Sequence, residues 1–318
     1  MRIILSRTDS IGDVVLTLPV ACVLKQTFPG CTIIFLGSSY TRPLVELCSH
    51  VDEFVEWDVQ KSLSALKAGI IIHVFPVREI CLAAKRAGIP IRIATSRRFF
   101  TWFTCNRLLH VPRKNSNLHE SQLNLKLLKG LGIDRNFPLE EIAGMYGLTP
   151  GRADKTASDR FNLILHPTSK GSAREWGLDN FSRLIGLLPE KKFKIFITGT
   201  KEDGILMGGF LEKHRDRVID MTGKLTLTEL ISLIASSDGL VAASTGPLHI
   251  AAAFGIRAIG LYAPMRPIFP KRWAPLGKNA SYLVLEKTCN DCRKSMDCHC
   301  IQSIPPESVL EKLMNPKL

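Results

Sequence analysis

The chain has 318 residues, 42 Lys and Arg against 29 Asp and Glu for a formal charge of +13, and 45% hydrophobic content. That length exceeds one typical domain and suits two, and the positive balance points to an anionic partner such as a nucleotide, a phosphorylated lipid or nucleic acid. MRIILSRTDSIGD holds only a short apolar run and no segment is long enough to span a bilayer, so neither signal peptide nor membrane span is expected, and the expected location is the cytoplasm.

Arg2 to Ser6 reads as a buried strand, and Val14, Val15, Leu18, Ala21, Cys22, Leu24 and Lys25 follow with helical period up to Phe28-Pro29-Gly30. The loop between them, Arg7 to Asp13, lies at the carboxyl end of a strand, where open α/β sheets place ligands. Two readings fit Asp13. Ser10 and Asp13 have the spacing of a capping box, so both can serve only the helix. Equally, a helix start stabilises negative charge, which would keep Asp13 ionised and able to accept a proton from an attacking hydroxyl. Strand-like runs Thr32 to Leu36, Phe54 to Glu56, Ile70 to Phe75 and Ile91 to Ala94 alternate with helical segments near 41–48, 60–67 and 78–87, predicting a parallel α/β unit.

Between Ile80 and His119 no acidic residue occurs, while Lys85, Arg86, Arg92, Arg97, Arg98, Arg107, Arg113 and Lys114 interleave with Phe99, Phe100, Trp102 and Phe103. Such a surface suits an anionic membrane, a phosphorylated glycolipid or nucleic acid; the alternative is a solvated basic face over a buried aromatic cluster. A helix is expected over 118–131, and the loop-rich 134–159 reads as a linker.

The second half repeats the alternation. Strands are expected at Phe161 to His166, Lys194 to Thr198 and Val218 to Met221, with helices near 180–188, 204–214 and 226–236. Asp203 and Glu229 fall near helix starts and read as caps. After the first of these strands, Thr168 and Ser169 offer hydroxyls to phosphate oxygens, and Lys170 or Arg174 offers charge to a leaving diphosphate. The stretch Gly239 to Pro264 reads as strand, tight loop, helix, strand. Gly246 permits close backbone approach and Pro247 suits a first helical turn. The free N–H groups of the helix that continues through Leu248, joined by Ser244, Thr245 and His249, favour phosphate. A helix is expected over 306–314.

Of nine cysteines, Cys22, Cys31, Cys48, Cys81 and Cys105 sit among apolar residues, as reduced buried thiols do. Cys289, Cys292, Cys298 and Cys300 form a C-x2-C-x5-C-x-C group, with a loop between the pairs far shorter than in zinc ribbons; a structural metal and free or redox-labile thiols both fit, and no metal ligand is assigned.

Three stretches together resemble the glycosyltransferase family 9 heptosyltransferases: Arg7-x-Asp9-x-Ile11-Gly12-Asp13 with Leu16-Thr17-Leu18-Pro19, His166-Pro167 through Arg174 and Trp176 to Phe181, and Ser244-Thr245-Gly246-x-x-His249 with Ala251-Ala252. The resemblance runs nearly end to end. It implies an α/β GT-B fold of two Rossmann-like doubly wound parallel-sheet domains facing a cleft, residues 1–155 binding acceptor and 156–318 binding nucleotide sugar, with a terminal helix (306–315) packing back across the domains. It makes Asp13 the base and places Thr168, Ser169, Thr245, Gly246 and His249 around the donor's diphosphate; Lys170, Ser244, Pro247 and Leu248 complete the expected donor side. Arg174 falls where members commonly carry a lysine. Asp9, Ser10, Gly12, Arg97 and Arg98 are expected on the acceptor side. Ser244 stands where the family usually has an aspartate that contacts the donor sugar, which leaves the sugar open.

The activity implied is an inverting, metal-independent transfer of heptose from ADP-heptose to a lipopolysaccharide inner-core (lipid A core) acceptor. No cofactor is required, no Asp-x-Asp motif is present, and peripheral contact with the cytoplasmic face of the inner membrane is expected. Other readings are a family member with a different nucleotide sugar, a noncatalytic sugar-nucleotide or glycolipid binder, and an NAD enzyme. The last is opposed by the lack of G-x-G-x-x-G after the first strand. Nucleic acid rests on charge and aromatics alone and is not an expected partner; the oligomeric state is left open.

Overall fold

The computed structural model describes residues 1–60, 62–113, 116–149, 159–286 and 298–315. The chain divides into two compact units, Met1–Thr149 and Pro150–Leu318. In the first, β1 (Arg2–Ser6), β2 (Thr32–Gly37), β3 (Glu53–Glu56), β4 (Ile70–His73), β5 (Ile91–Thr95) and β6 (Arg107–Leu109) form one sheet in the order β3-β2-β1-β4-β5-β6. In the second, β7 (Phe161–His166), β8 (Phe193–Ile197), β9 (Val218–Asp220), β10 (Gly239–Ala243), β11 (Arg257–Tyr262) and β12 (Ala280–Val284) are ordered β12-β11-β10-β7-β8-β9. Every strand pairing within these two sheets is parallel. Each sheet therefore starts at its middle, winds to one side, and returns to the other side of its first strand, which is the doubly wound order.

The central strands explain why they pair this way. Ile3, Ile4, Leu5, Ile33, Ile34, Ile71, Ile72, Leu163, Ile164, Leu165, Leu240 and Val241 are buried, as strands covered on both faces by helices must be. Short β6 and β12 extend the sheets beyond the expected strands, too brief and too mixed in polarity to carry a periodic signal.

Several expected helices are shorter or broken. The segment 41–48 is a 3-10 turn at Ser39–Thr41 followed by Arg42–Val45, and 60–67 reduces to a 3-10 turn at Leu63–Leu66. The helix over 118–131 is α-helical at Glu120–Leu125, then 3-10 at Lys126–Leu131, and stops at Gly132, whose φ of +83° is left-handed. Lys201–Leu206 and Gly208–Lys213 replace the single helix over 204–214, breaking just before the pair Gly208-Gly209. Asp203 and Glu229 do cap, each closing a capping box, with Thr200 and Thr226.

In the second unit Trp176 is buried, its ring edge-on to Phe181 at 4.9 Å and its Nε1–H donated to the Ile304 carbonyl at 2.9 Å. The terminal helix Pro306–Met314 adds Val309 and Leu313 to the same core. Residues 150–158 of the linker stretch, Lys114 of the basic stretch, and Cys289 and Cys292 lie outside the described residues; Cys298 and Cys300 are buried.

Candidate active site

Where a doubly wound sheet reverses direction, the loops leaving the two neighbouring strands diverge and open a crevice at the strands' carboxyl ends. In the first unit that point lies between β1 and β4, and in the second between β7 and β10.

At the first crevice the loop after β1 converges on Arg7, whose side chain is only 3% exposed. Its Nε donates to Asp9 Oδ1 at 2.6 Å, its Nη2 donates to Asp13 Oδ1, and Glu120 Oε1 stands 3.8 Å from its Nη1. Burial opposes charge on this guanidinium, but the carboxylates of Asp13, Asp9 and Glu120 outweigh it and the net shift is upward. Burial also raises the pKa of Asp9; Arg7 pulls it down and neighbouring Asp13 pushes it further up. Ser10 donates its hydroxyl to Asp13 Oδ2 at 2.6 Å. The capping-box reading of this pair fails: Ser10 occupies the N-cap of Ile11–Val15 but its side chain accepts no helix N–H. Both oxygens of Asp13 are instead held by side chains, which fixes the carboxylate's orientation, and the group stays 18% exposed.

The loop after β4 contributes Phe75, which sequence reasoning missed. The guanidinium carbons of Arg7 and Arg98 lie 5.5 and 5.7 Å from its ring centroid, so one ring ties the basic segment to the Asp13 cluster. Arg97 is exposed beside Arg98. Arg113 is joined to Glu120 and donates to Asn124 Oδ1 at 2.9 Å, and Asn124 donates to the Leu16 carbonyl at 2.9 Å. Glu120, Asn124 and Phe75 show in sequence only as ordinary helix and loop residues, and their roles come from the fold.

The aromatics of the basic segment are not a buried cluster: Phe99, Trp102 and Phe103 are 79%, 62% and 60% exposed, with Phe99 and Phe103 edge-to-face at 5.0 Å.

At the second crevice the loop after β7 is closed by its own hydrogen bonds. Ser169 Oγ donates to the Ala173 carbonyl at 2.8 Å, Ser169 N–H donates to Glu175 Oε1 at 2.7 Å, and Lys170 and Gly171 take left-handed φ of +49° and +79°. The Ser169 hydroxyl is thus engaged within the loop, while the Lys170 side chain is exposed. Two hydroxyls are not engaged. Thr168 Oγ1 after β7 and Thr245 Oγ1 after β10 are buried without any hydrogen-bond partner. Thr245 is the N-cap of Gly246–Ala253, with Pro247 in the first turn, yet its side chain makes no cap bond. Leu248 and His249 of that helix are buried. Arg174 and Ser244 line one small recess with Ala173, Leu261, Tyr262, Ala263, Met265 and Ile268. Behind the β7 loop, His166 Nδ1 lies 2.9 Å from Thr198 Oγ1, and burial pushes its pKa down to about 4.

The second crevice therefore combines a helix N-terminus, unsatisfied hydroxyls and cations, an arrangement that binds anions such as phosphate groups. Two doubly wound units in one chain, with this crevice in the second, are the architecture of the GT-B fold, which many glycosyltransferases share. Residues 81–300, more than half of the chain, match the model of Glycosyltransferase family 9 (heptosyltransferase), and the chain belongs to that family. A Haemophilus influenzae protein described as a glycosyltransferase is 26% identical over 301 residues, 86% of each chain. Lipooligosaccharide heptosyltransferase 2 of Campylobacter jejuni is 21% identical over 330 residues, covering 99% of this chain and 98% of that one. The solved structure of Escherichia coli ADP-heptose lps heptosyltransferase II superposes with a TM-score of 0.81 at 19% identity, over 99% and 98% of the two chains. The fold is GT-B, and the protein is a glycosyltransferase.

Proposed function

We propose that this glycosyltransferase moves heptose from ADP-heptose to a lipopolysaccharide inner-core acceptor, by an inverting, metal-independent reaction that needs no cofactor beyond the donor. The observation that carries the donor half is the pair of buried, unpartnered hydroxyls, Thr168 Oγ1 and Thr245 Oγ1, flanking the switch point of the second sheet. A buried hydroxyl without a partner costs about 1–3 kcal/mol, and a diphosphate accepting both hydrogens would recover that cost. The N–H groups of Gly246–Ala253 and the charge of Arg174 and Lys170 would take up the negative charge that grows on the departing ADP. The names of the Escherichia coli and Campylobacter jejuni relatives support the same donor and acceptor classes.

In the first unit Asp13 is the base. The acceptor hydroxyl attacks the anomeric carbon opposite the diphosphate, the carbon–oxygen bond to ADP breaks, and the hydroxyl proton passes to the Asp13 carboxylate that Arg7 and Ser10 hold in place. Asp9, Ser10, Gly12, Arg97 and Arg98 form the acceptor side, with the two arginines suited to a phosphorylated core sugar. A second reading, a donor with another nucleotide sugar, is favoured by one feature: the recess beside Arg174 is lined by the neutral Ser244, where the family resemblance led to the expectation of an aspartate. Calorimetric titration with ADP, GDP and UDP, then transfer assays with the matching sugar, tests both. Selective ADP binding with heptose transfer supports the first reading; selective binding of another nucleotide reassigns the donor.

The exposed aromatics Phe99, Trp102 and Phe103 beside Arg97 and Arg98 support peripheral contact with an anionic membrane surface. Among the described residues no helix is long and apolar enough to cross a membrane. Co-sedimentation with phosphatidylglycerol vesicles, against phosphatidylcholine vesicles, is expected to pull down the wild type and to lose the Trp102→Ser, Phe103→Ser variant. Equal sedimentation of both proteins overturns the contact.

A further inference from the structure

The core of the first unit holds a group of side chains that the transfer chemistry leaves unused. His73 ends β4, Cys81 lies on the helix Arg78–Arg86, and Cys105 directly follows Thr101–Thr104. One donor atom from each, an imidazole nitrogen and two Sγ atoms, lies within 4.8 Å of the others. His73 and Cys81 have no exposed surface and Cys105 has 8%. Ala94, Phe100 and Leu108 pack around the thiols, so the setting is apolar. Neither ring nitrogen of His73 has a hydrogen-bond partner, and neither does the buried hydroxyl of Ser6, its register partner on β1. A neutral imidazole carries one N–H and one lone pair, and leaving them unmet in an interior is unfavourable.

We propose that His73, Cys81 and Cys105 bind a structural zinc ion. Two thiolates and an imidazole are the donor types zinc selects, and bonds of about 2.3 Å to sulfur and 2.0–2.1 Å to nitrogen place the donors of one ion about 3.5–4 Å apart. The observed spread reaches that with small side-chain rotations. The charge argument favours a divalent ion: two thiolates around a 2+ ion are neutral, whereas a monovalent ion leaves a net negative charge in an apolar cluster. Both thiols release a proton on binding, and His73 binds in its neutral form. Ser6 supplies an oxygen beside His73 for a fourth position, directly or through a water. The ion would tie β4, the helix Arg78–Arg86 and the segment bearing Phe99, Trp102 and Phe103 to one another. Its role is to hold that segment, and it takes no part in the sugar transfer.

The test counts zinc in the full-length protein, purified with zinc present and dialysed against a weak chelator. Because Cys289, Cys292, Cys298 and Cys300 are a second source of thiolates, the wild type is compared with two variants. One is Cys81→Ser, Cys105→Ser; the other replaces the four late cysteines by serine. The first is expected to hold one zinc fewer than the wild type. The second is expected to keep one zinc, with an X-ray absorption shell of two sulfurs and at least one nitrogen. If the first variant does not fold, cobalt in the second gives the readout through its thiolate-to-cobalt absorption band, and His73→Gln is expected to weaken cobalt binding at least tenfold. Equal zinc in the wild type and a folded Cys81→Ser, Cys105→Ser variant overturns the proposal. So does a late-cysteine variant that folds without metal, or a Cys81–Cys105 disulfide in the wild type detected by mass spectrometry.

Discussion

Replacing Asp13 with Asn separates chemistry from architecture at the first crevice. The amide keeps the shape of the carboxylate and an oxygen for Arg7, but it cannot take up the acceptor proton. Removal of a general base is expected to lower kcat by about 10²- to 10⁴-fold. The structural cost is bounded by the neighbours of Arg7. Its bond to Asp9 at 2.6 Å and its approach to Glu120 at 3.8 Å both survive, so the buried guanidinium does not lose all its counter-charge. What weakens is one charge-assisted hydrogen bond, about 1.5–3 kcal/mol. That is below the stability of a typical domain, about 5–15 kcal/mol, so the variant should fold with a lowered thermal midpoint. Asp9→Asn is the comparison: it weakens Arg7 in the same way while leaving the base, so it is expected to match Asp13→Asn in thermal stability and to keep far more turnover. The assay is single-turnover transfer with donor and acceptor saturating, alongside melting curves. A folded Asp13→Asn that turns over within a factor of about ten of the wild type falls short of the general-base range and refutes the role.

Thr168→Val and Thr245→Val remove buried hydroxyls that have no partner, so each is expected to leave the thermal midpoint unchanged or raised. Each should weaken ADP about 10- to 100-fold by calorimetry, the equivalent of about 1.5–3 kcal/mol for a lost bond to a charged phosphate; unchanged affinity in both would remove these hydroxyls from the donor site. Arg174→Lys is expected to retain most transferase activity and Arg174→Met to lose about 10²-fold in kcat, the scale of one charge stabiliser at a leaving group; equal activity in the two would count against the role. His166 gives a pH signature. Its pKa is depressed to about 4 by burial, so the unfolded chain binds the extra proton first. The stability contributed by its neutral form is complete above about pH 6.5 and is lost as pH falls towards 4, up to about 3 kcal/mol. The difference in melting midpoint between the wild type and His166→Gln should therefore change across that window and be flat above it; a constant difference over the whole range contradicts the assignment.

The two sheets were legible because strands buried on both faces are written as unbroken runs such as Ile33 to Leu36 and Leu163 to Leu165, a signal that survives without any tertiary knowledge. Helix lengths were less so. The helix expected over 118–131 does end before Gly132 but turns 3-10 after Leu125, and the one expected over 204–214 is two helices meeting at Met207, just before Gly208-Gly209. At the candidate site, loop position and residue type were enough to nominate Asp13, Arg174, Thr168 and Thr245, whose roles rest on the proposed function. They could not show that Ser10 serves Asp13 rather than the helix, or that Ser169 is engaged by its own loop, since those outcomes turn on ångström-scale geometry. Phe75, Glu120 and Asn124 join the Arg7 cluster from other parts of the chain, and no local pattern announces them. His73, Cys81 and Cys105 are likewise scattered in sequence, and without the fold each looks like ordinary core.

The winding order also has a consequence for synthesis. In each unit the strand made first, β1 or β7, ends at the centre of its sheet, and the last positions filled are at or next to the rims. A growing chain thus adds material outward from an apolar seed and never has to thread a strand between two already paired. The first sheet is complete once β6 at Arg107–Leu109 has left the ribosome, long before β7 emerges. Its rim on that side is a strand of only three residues with an arginine on it, a poor template for a neighbouring nascent chain.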